Sequence, residues 1–500
     1  MPDPDRVAMV TLGCGRNDVD SEQVAGALQH AGLAVVDEPA DADCVLVNTC
    51  TFVEAARVES IDAIMQAADP DDRAGQPPAV IVMGCMAQRY RDTLSHELPE
   101  AAAVVGFDDY PRLPDIVAAA IAGSPDPVGD AAPQPSSTAP GAGGAFDRAL
   151  PRISADGGAD PPRGLPLAVA PAAPPTTAFP VRTEPRGGWA YVKIAGGCDR
   201  ACTFCTIPSY RGTHRSRPVA EVLAEARWLV AHGVSELVCV SENTTSYGKD
   251  LPQGRQALLE LLDGFEGIDG LQRVRLLYLQ PDELEPELLA AMSASRVVAP
   301  YYDLSLQHAS APVLRRMARG GSREAFVDLV DDIRARDPAA VVRSSFILGF
   351  PGETDADVAE LASFLDRAAI DWPGFFTFSR EDGTPSADME GQIPGDVAAA
   401  RRDHVADIAE LAAEERARGF VGVDLSVLIE QADGPDGAVG RSHREGPESD
   451  GEIRLPDVAP DAVAAGDVVA ARAVAADGVD LIAETAPAVT RRGRPVTAGS

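Results

Sequence analysis

The chain has 500 residues, with 43 Lys and Arg against 77 Asp and Glu, a formal charge of -34. At about 150 residues per domain it has room for about three domains, and 45% hydrophobic with 24% charged residues excludes a wholly disordered, collagenous or coiled-coil chain. So acidic a body does not bind phosphate backbones by bulk charge, whereas a basic partner is steered towards it.

No stretch reaches the roughly 18 to 20 apolar residues a membrane helix needs. The acidic start, Met1-Pro2-Asp3-Pro4-Asp5-Arg6, does not fit a secretory signal, so a cytoplasmic protein without a membrane partner is expected. Thiols stay reduced there, and the eight Cys point to metal or redox chemistry rather than disulfides.

Residues 1–123 predict a small doubly wound α/β domain. The apolar runs Val7 to Leu12, Cys44 to Val47 and Ala79 to Met83 alternate with amphipathic stretches, the pattern of a parallel sheet covered on both faces. Asp20 or Ser21 is the expected cap of the first helix, which stops at Gly32. Residues 124–186 are rich in Ala, Pro and Gly and predict a flexible linker.

Residues 187–418 return to βα alternation. Strands are expected at Ala190–Ile194, Glu236–Val240, Val274–Leu277, Tyr302–Leu306, Ser345–Leu348 and Gly374–Phe378. Six units of this kind suggest a full or partial β/α barrel with its chemistry at the C-terminal strand ends. A long helix over Gly395 to Arg418 follows. Residues 419–488 hold short β-like runs between Asp-Gly turns, which predicts a small antiparallel barrel, and 489–500 form a tail.

Two cysteine triplets carry the chemistry. Cys198, Cys202 and Cys205 form CxxxCxxC just past a strand. Three thiolates on one loop can hold three irons of a cubane and leave the fourth open to a small molecule, whereas a structural zinc or an electron-transfer cluster normally takes four protein ligands. From spacing alone an open cluster, a zinc site and plain thiols all stay possible. Cys14, Cys50 and Cys85 each follow a predicted parallel strand, and such strand ends share one edge, where ligands bind. A second open cluster competes here with chance placement in the core. Cys44 and Cys239 lie within or at the start of apolar strands and are expected to be structural.

The segment Gly197-Cys198-Asp199-Arg200-Ala201-Cys202-Thr203-Phe204-Cys205-Thr206-Ile207-Pro208, with Arg211-Gly212 and Ser216-Arg217, resembles the S-adenosylmethionine (SAM) loop of the radical SAM methylthiotransferases. Leu12-Gly13-Cys14 with Asn17 and Asp20-Ser21-Glu22, Asn48-Thr49-Cys50, Gly84-Cys85-Met86, Leu304 to Ser310 and Phe346 to Thr354 match the same family, and the C-terminal barrel is similar to a TRAM domain. Three positions depart from the usual pattern: Gly15-Arg16 stands where Pro-Lys is common, and Arg380 where Pro is common.

The resemblance implies two 4Fe–4S clusters, on Cys14, Cys50 and Cys85 and on Cys198, Cys202 and Cys205, the second binding SAM. It implies SAM contacts from Gly349, Glu353, Glu242 and Arg343, against a simple strand-to-helix turn at Gly349 to Glu353, a helix cap at Ser241 to Asn243 and a surface role for Arg343, with His308 more in keeping with a structural role. It also implies an electron donor such as flavodoxin or ferredoxin. Two substrates compete: an aspartate of small-subunit ribosomal protein S-twelve, a basic protein, and an adenosine beside the tRNA anticodon. Residues 420–490 carry 4 Arg and no Lys against 14 Asp and Glu, a net charge of -10, which favours the basic protein over tRNA. A non-enzymatic iron–sulfur sensor is the remote alternative.

Overall fold

The computed structural model describes residues 4–69, 77–124, 128, 182–185, 187–434, 437–459 and 462–485. Nearly all of the expected linker, and the whole of the tail, lie outside the described residues. The chain divides into two units, Met1–Thr183 with Ser209–Gly212, and Glu184–Pro208 with Thr213–Ser500.

The first unit is a parallel five-stranded sheet in the order β2-β1-β3-β4-β5, with β1 at Arg6–Thr11, β2 at Ala34–Val36, β3 at Cys44–Thr49, β4 at Ala79–Met83 and β5 at Ala101–Val104. Helices α1 (Gly15–His30), α2 (Glu54–Ala68), α3 (Gly84–Glu97) and α4 (Leu113–Ile121) cover it. Every residue of β3 is buried, as expected of a central strand covered on both faces. One apolar cluster gathers Leu28, Ile81, Leu113 and Ile116, and another Val45, Ile64, Val82 and Leu94. The edge strands β2 and β5 were not among the expected ones. They are three and four residues long, too short to carry a pattern.

The start of α1 differs from the expectation. The helix begins at Gly15 with Cys14 as its N-cap, and Asp20 and Ser21 lie buried inside it. Ser21 Oγ instead meets Thr11 Oγ1 at 2.6 Å and accepts from Asn48 Nδ2 at 2.9 Å, so its hydroxyl ties the helix to β1 and β3. At the other end Gly32 takes φ +92, the left-handed conformation that closes many helices.

The second unit carries a six-stranded parallel sheet in the order β13-β12-β11-β10-β9-β6. Its strands are β6 (Trp189–Lys193), β9 (Glu236–Val240), β10 (Arg273–Leu279), β11 (Val298–Gln307), β12 (Val341–Leu348) and β13 (Trp372–Thr377), and a short ribbon pairs β7 (Ala195–Gly196) with β8 (Arg215–Ser216). After α5 (Ile207–Arg211), whose last three residues belong to the first unit, come α6 (Val219–Ala231), α7 (Gln256–Glu266), α8 (Pro286–Ala294), α9 (Ala311–Arg316), α10 (Arg323–Arg336), α11 (Asp355–Ala368) and α12 (Gly395–Arg418). The sheet is a partial β/α barrel.

The last strands, β14 (Asp424–Gly434), β15 (Gly437–Arg441), β16 (Ile453–Leu455), β17 (Val468–Asp477) and β18 (Asp480–Thr485), close a small barrel. All its pairs are antiparallel except β16 with β18. The barrel packs under the N-terminal ends of the core strands. Trp372, the first residue of β13, donates from Nε1 to Arg444 O at 2.7 Å, and Tyr301, Val341 and Trp372 share one apolar core with Val427, Ile453 and Leu481. In a parallel sheet this leaves the opposite, C-terminal edge for the cysteine loop that follows β6.

Candidate active site

In the first unit, β1, β3 and β4 are neighbours, and their C-terminal ends deliver Cys14, Cys50 and Cys85. The chain order reverses between β1 and β3, the place where open α/β sheets leave a crevice. Tight polar contacts hold the three turns together. Asn17 Nδ2 donates to Leu12 O at 2.7 Å and Thr49 O at 3.2 Å, Asn48 Nδ2 donates to Asn17 O at 2.9 Å, and Thr49 Oγ1 donates to Met83 O at 2.6 Å. The Cys50 backbone N–H donates to Ser60 Oγ at 3.0 Å. Gly13 has φ +106, and a Cβ there would stand 3.0 Å from Cys50 Sγ, so only glycine lets this turn approach the thiol.

The thiols interact electrostatically with one another and with two guanidiniums. Burial pushes Cys14 up, but Arg16, Arg211 and backbone N–H donors outweigh it and bring Cys14 below its ordinary value. Burial raises Cys50, against donors at Phe52 and Thr51. Burial pushes Cys85 to about 11, opposed by Arg211. Arg211 belongs to this unit although its sequence neighbours lead into the second. Its role was not legible in the sequence, where it was only one letter of a motif.

In the second unit, Cys198, Cys202 and Cys205 lie on the loop between β7 and α5. The loop folds on itself: Arg200 N–H points at Cys198 Sγ from 3.5 Å, and Cys205 N–H donates to Cys202 O at 3.2 Å. Thr203 anchors it from both sides, donating from its backbone to Met317 O at 3.1 Å and from Oγ1 to Arg316 O at 2.8 Å. Arg319, buried, reaches Cys202 Sγ at 3.5 Å and Gln280 Oε1 at 2.6 Å. Sequence reasoning missed Arg319; its lone Gly-flanked position carries no pattern. Burial pushes the Cys198 thiol up to about 11, with Cys202 and the Glu242 carboxylate adding to it.

Glu242 thus stands near the cysteine loop, just past β9. Its neighbour Asn243 caps the short helical turn Thr244–Ser246 and donates from Nδ2 to Glu283 at 3.1 Å, so that residue is a cap. Glu353 is buried and accepts from Gly349 N–H at 3.0 Å while pairing with Arg401 at 3.0 Å. It closes the turn from the inside. Gly349 has φ +77, and a Cβ there would strike Ala398 of α12, so the glycine serves the packing of that helix. His308 is buried, with Nδ1 accepting from Ser310 N–H at 2.9 Å, a structural arrangement.

Arg343 is the last of the four residues that the resemblance sets at SAM. It is the third residue of β12, at the end facing the small barrel, and pairs with Asp303 at 3.1 Å and Asp450 at 3.3 Å. Two carboxylates occupy its guanidinium at the end of the sheet away from the cysteine loop.

Among the described residues no three His, Cys, Asp or Glu side chains stand close enough to hold one metal ion. A cubane spreads its ligands more widely, since each thiolate binds its own iron. The donor sets fit such a cluster: three thiols each, converging in the first unit and on one short loop in the second, with guanidinium or backbone N–H groups aimed at sulfur.

The chain matches the uncharacterized protein family UPF0004 over residues 6–106, the radical SAM superfamily over 192–365 and the TRAM domain over 421–486. It is 47% identical over 487 residues to the ribosomal protein uS12 methylthiotransferase RimO of Kineococcus radiotolerans, covering 96% of both chains. It is 43% identical over 498 residues to that of Cutibacterium acnes, covering 96% of this chain and 98% of the relative. Among solved structures, the radical SAM methyltransferase TsrM of Kitasatospora setae shares the fold, with a TM-score of 0.50 and 17% identity over 86% of this chain and 79% of that one. Fold and site define a radical SAM methylthiotransferase. Within that class the chain belongs to the RimO family.

Proposed function

We propose that the protein methylthiolates the β-carbon of an aspartate in ribosomal protein uS12, the S-twelve protein of the small subunit, with two 4Fe–4S clusters and two SAM molecules per turnover. The observation that carries the reading is the delivery of Cys14, Cys50 and Cys85 by three adjacent strands, in a chain that also has a separate CxxxCxxC loop. A radical SAM enzyme that only generates a radical needs one triplet; a sulfur-transferring one has use for a second.

When bound, the cluster at Cys198, Cys202 and Cys205 supplies one-electron cleavage of SAM, and that at Cys14, Cys50 and Cys85 supplies the site for the transferred sulfur. The chain's residues bind and orient. Arg319 and the Arg200 backbone N–H place positive ends of dipoles and charge beside the sulfurs of the SAM loop. Arg200 is itself held by Asp282 at 2.9 Å and Glu283 at 2.6 Å, so the loop has little freedom. The Gly349–Glu353 turn supports the C-terminal end of β12, and Phe204 of the loop packs edge-on against Phe350 at 6.5 Å.

The charge of the small barrel supports a basic protein substrate. Arg441 and Arg444 are buried in ion pairs, and Arg454 and Arg472 are paired with carboxylates, which leaves the barrel's described surface acidic. An external one-electron donor of the flavodoxin or ferredoxin kind and a cytoplasmic site of action accompany this reading. No helix among the described residues is long and apolar enough to cross a membrane.

Anaerobically reconstituted enzyme offered both uS12 and tRNA, with SAM and a reductant, tests the proposal by mass spectrometry. The expected result is uS12 heavier by one methylthio group in place of hydrogen. Modified tRNA with untouched uS12 would overturn the substrate. Absence of 5′-deoxyadenosine in the presence of dithionite and SAM would favour a sensor.

A further inference from the structure

Arg211 is buried, and two of its nitrogens converge on one sulfur: Nε stands 3.3 Å and Nη2 3.0 Å from Cys85 Sγ. Nη2 also donates to Asn17 Oδ1 at 2.8 Å. Asp20 Oδ2 lies 3.4 Å from Nη1 and 3.5 Å from Nη2, and the Phe107 ring centre is 5.0 Å from the guanidinium carbon. Asn17 in turn fastens the turns after β1 and β3. One side chain is therefore held by a carboxylate, an amide and an aromatic face so that its fork aims at a cysteine. A neutral thiol accepts hydrogen bonds weakly and a thiolate strongly, and hydrogen bonds to ligand sulfur stabilise the reduced state of an iron–sulfur centre.

We propose that Arg211 is a positioning residue that donates two N–H···S bonds to the Cys85 ligand of the N-terminal cluster and so raises that cluster's reduction potential. The proposal rests on the two-cluster reading above. Asp20 and Asn17 fix the fork, the Phe107 ring lies against the guanidinium, and the guanidinium offsets negative charge that three thiolates bring into a buried site. A purely structural Arg211 would do no more than pair with Asp20.

The full-length chain with Cys198, Cys202 and Cys205 all replaced by Ala isolates the N-terminal cluster. After anaerobic reconstitution this parent is titrated with dithionite, which delivers one electron per cluster, and followed by electron paramagnetic resonance. A parent without a 4Fe–4S spectrum sinks the two-cluster reading and the proposal with it. With the cluster present, adding Arg211→Met is expected to shift the one-electron reduction equilibrium at least tenfold towards the oxidised form, about 59 mV. Arg211→Lys, which keeps the charge and one donor, is expected to recover part of the shift. An unchanged midpoint in Arg211→Met, or a midpoint in Arg211→Lys at or below that of Arg211→Met, overturns the proposal. Should Arg211→Met lose its iron while circular dichroism shows it folded, retention of iron by Arg211→Lys supports the role and equal loss in both overturns it.

Discussion

Arg441 of the small barrel stands 3.3 Å from Glu236, the first residue of core strand β9, and neither side chain is more than 3% exposed. Arg275 and Arg273 meet the same carboxylate at 2.6 Å and 3.0 Å, and Arg441 continues to Glu430 at 2.7 Å. This buried network fastens the barrel to the strand starts. Burial alone would raise the Glu236 carboxyl, but the three guanidiniums outweigh it and hold it at about 2. Removing one partner of a buried network leaves the others uncompensated, so Glu236→Gln should lower stability by about 3–5 kcal/mol in denaturant unfolding.

The same carboxylate sets an acid limit. Its folded value is about 2 against an ordinary 4.5, so its contribution is complete above the ordinary value and fades as pH falls towards 2. The difference amounts to about 3 kcal/mol. Denaturation midpoints measured between neutral pH and pH 3 should fall more steeply for the natural protein than for Glu236→Gln, whose amide does not titrate.

The two cysteine triplets should separate on mutation. Cys202→Ala is expected to abolish 5′-deoxyadenosine formation and thiolation together. Cys14→Ala should leave SAM cleavage within about a few-fold and eliminate thiolation. Iron analysis should read about eight irons in the natural protein and about four in either variant. If Cys14→Ala stops SAM cleavage while Cys202→Ala does not, the roles of the two triplets are reversed.

Gly349 tests the support of the SAM loop's side of the sheet. Its φ of +77 and the closeness of Ala398 leave no room for a β-carbon. Gly349→Ala carries about 1–2 kcal/mol of backbone strain before the clash with α12 is counted. The expected outcome is a lower unfolding temperature and a raised KM for SAM, read from 5′-deoxyadenosine yields. Glu353→Gln should produce a milder version, since the amide can still accept from Gly349 N–H but loses the charge paired with Arg401.

Recognition of a basic protein by an acidic surface should weaken with salt. Raising ionic strength from low values to about 0.5 M should raise the KM for uS12 several-fold, while tRNA should show no retention even at low salt. A salt-independent KM would mean that the barrel's charge has no part in docking.

Much of this protein was written in local pattern. Continuous apolar runs become the central parallel strands, where both faces are buried, and Gly395–Arg418 is a helix with the expected ends. The cysteine loop after a strand was equally visible, because spacing within one loop is a local property. Edge strands β2 and β5 escaped notice, being short and lacking alternation.

What tertiary structure decided is everything that depends on which strands are neighbours and which sequence-distant charges meet. Parallel strands already imply that Cys14, Cys50 and Cys85 share an edge; the strand order makes β1, β3 and β4 neighbours there, and no sequence rule fixes that order. It paired Arg343 with Asp303 and Asp450, and brought Arg211 onto Cys85 from 126 positions away. Periodicity records which side of an element is buried; the identity of the partner across the gap is set only when the whole chain has packed.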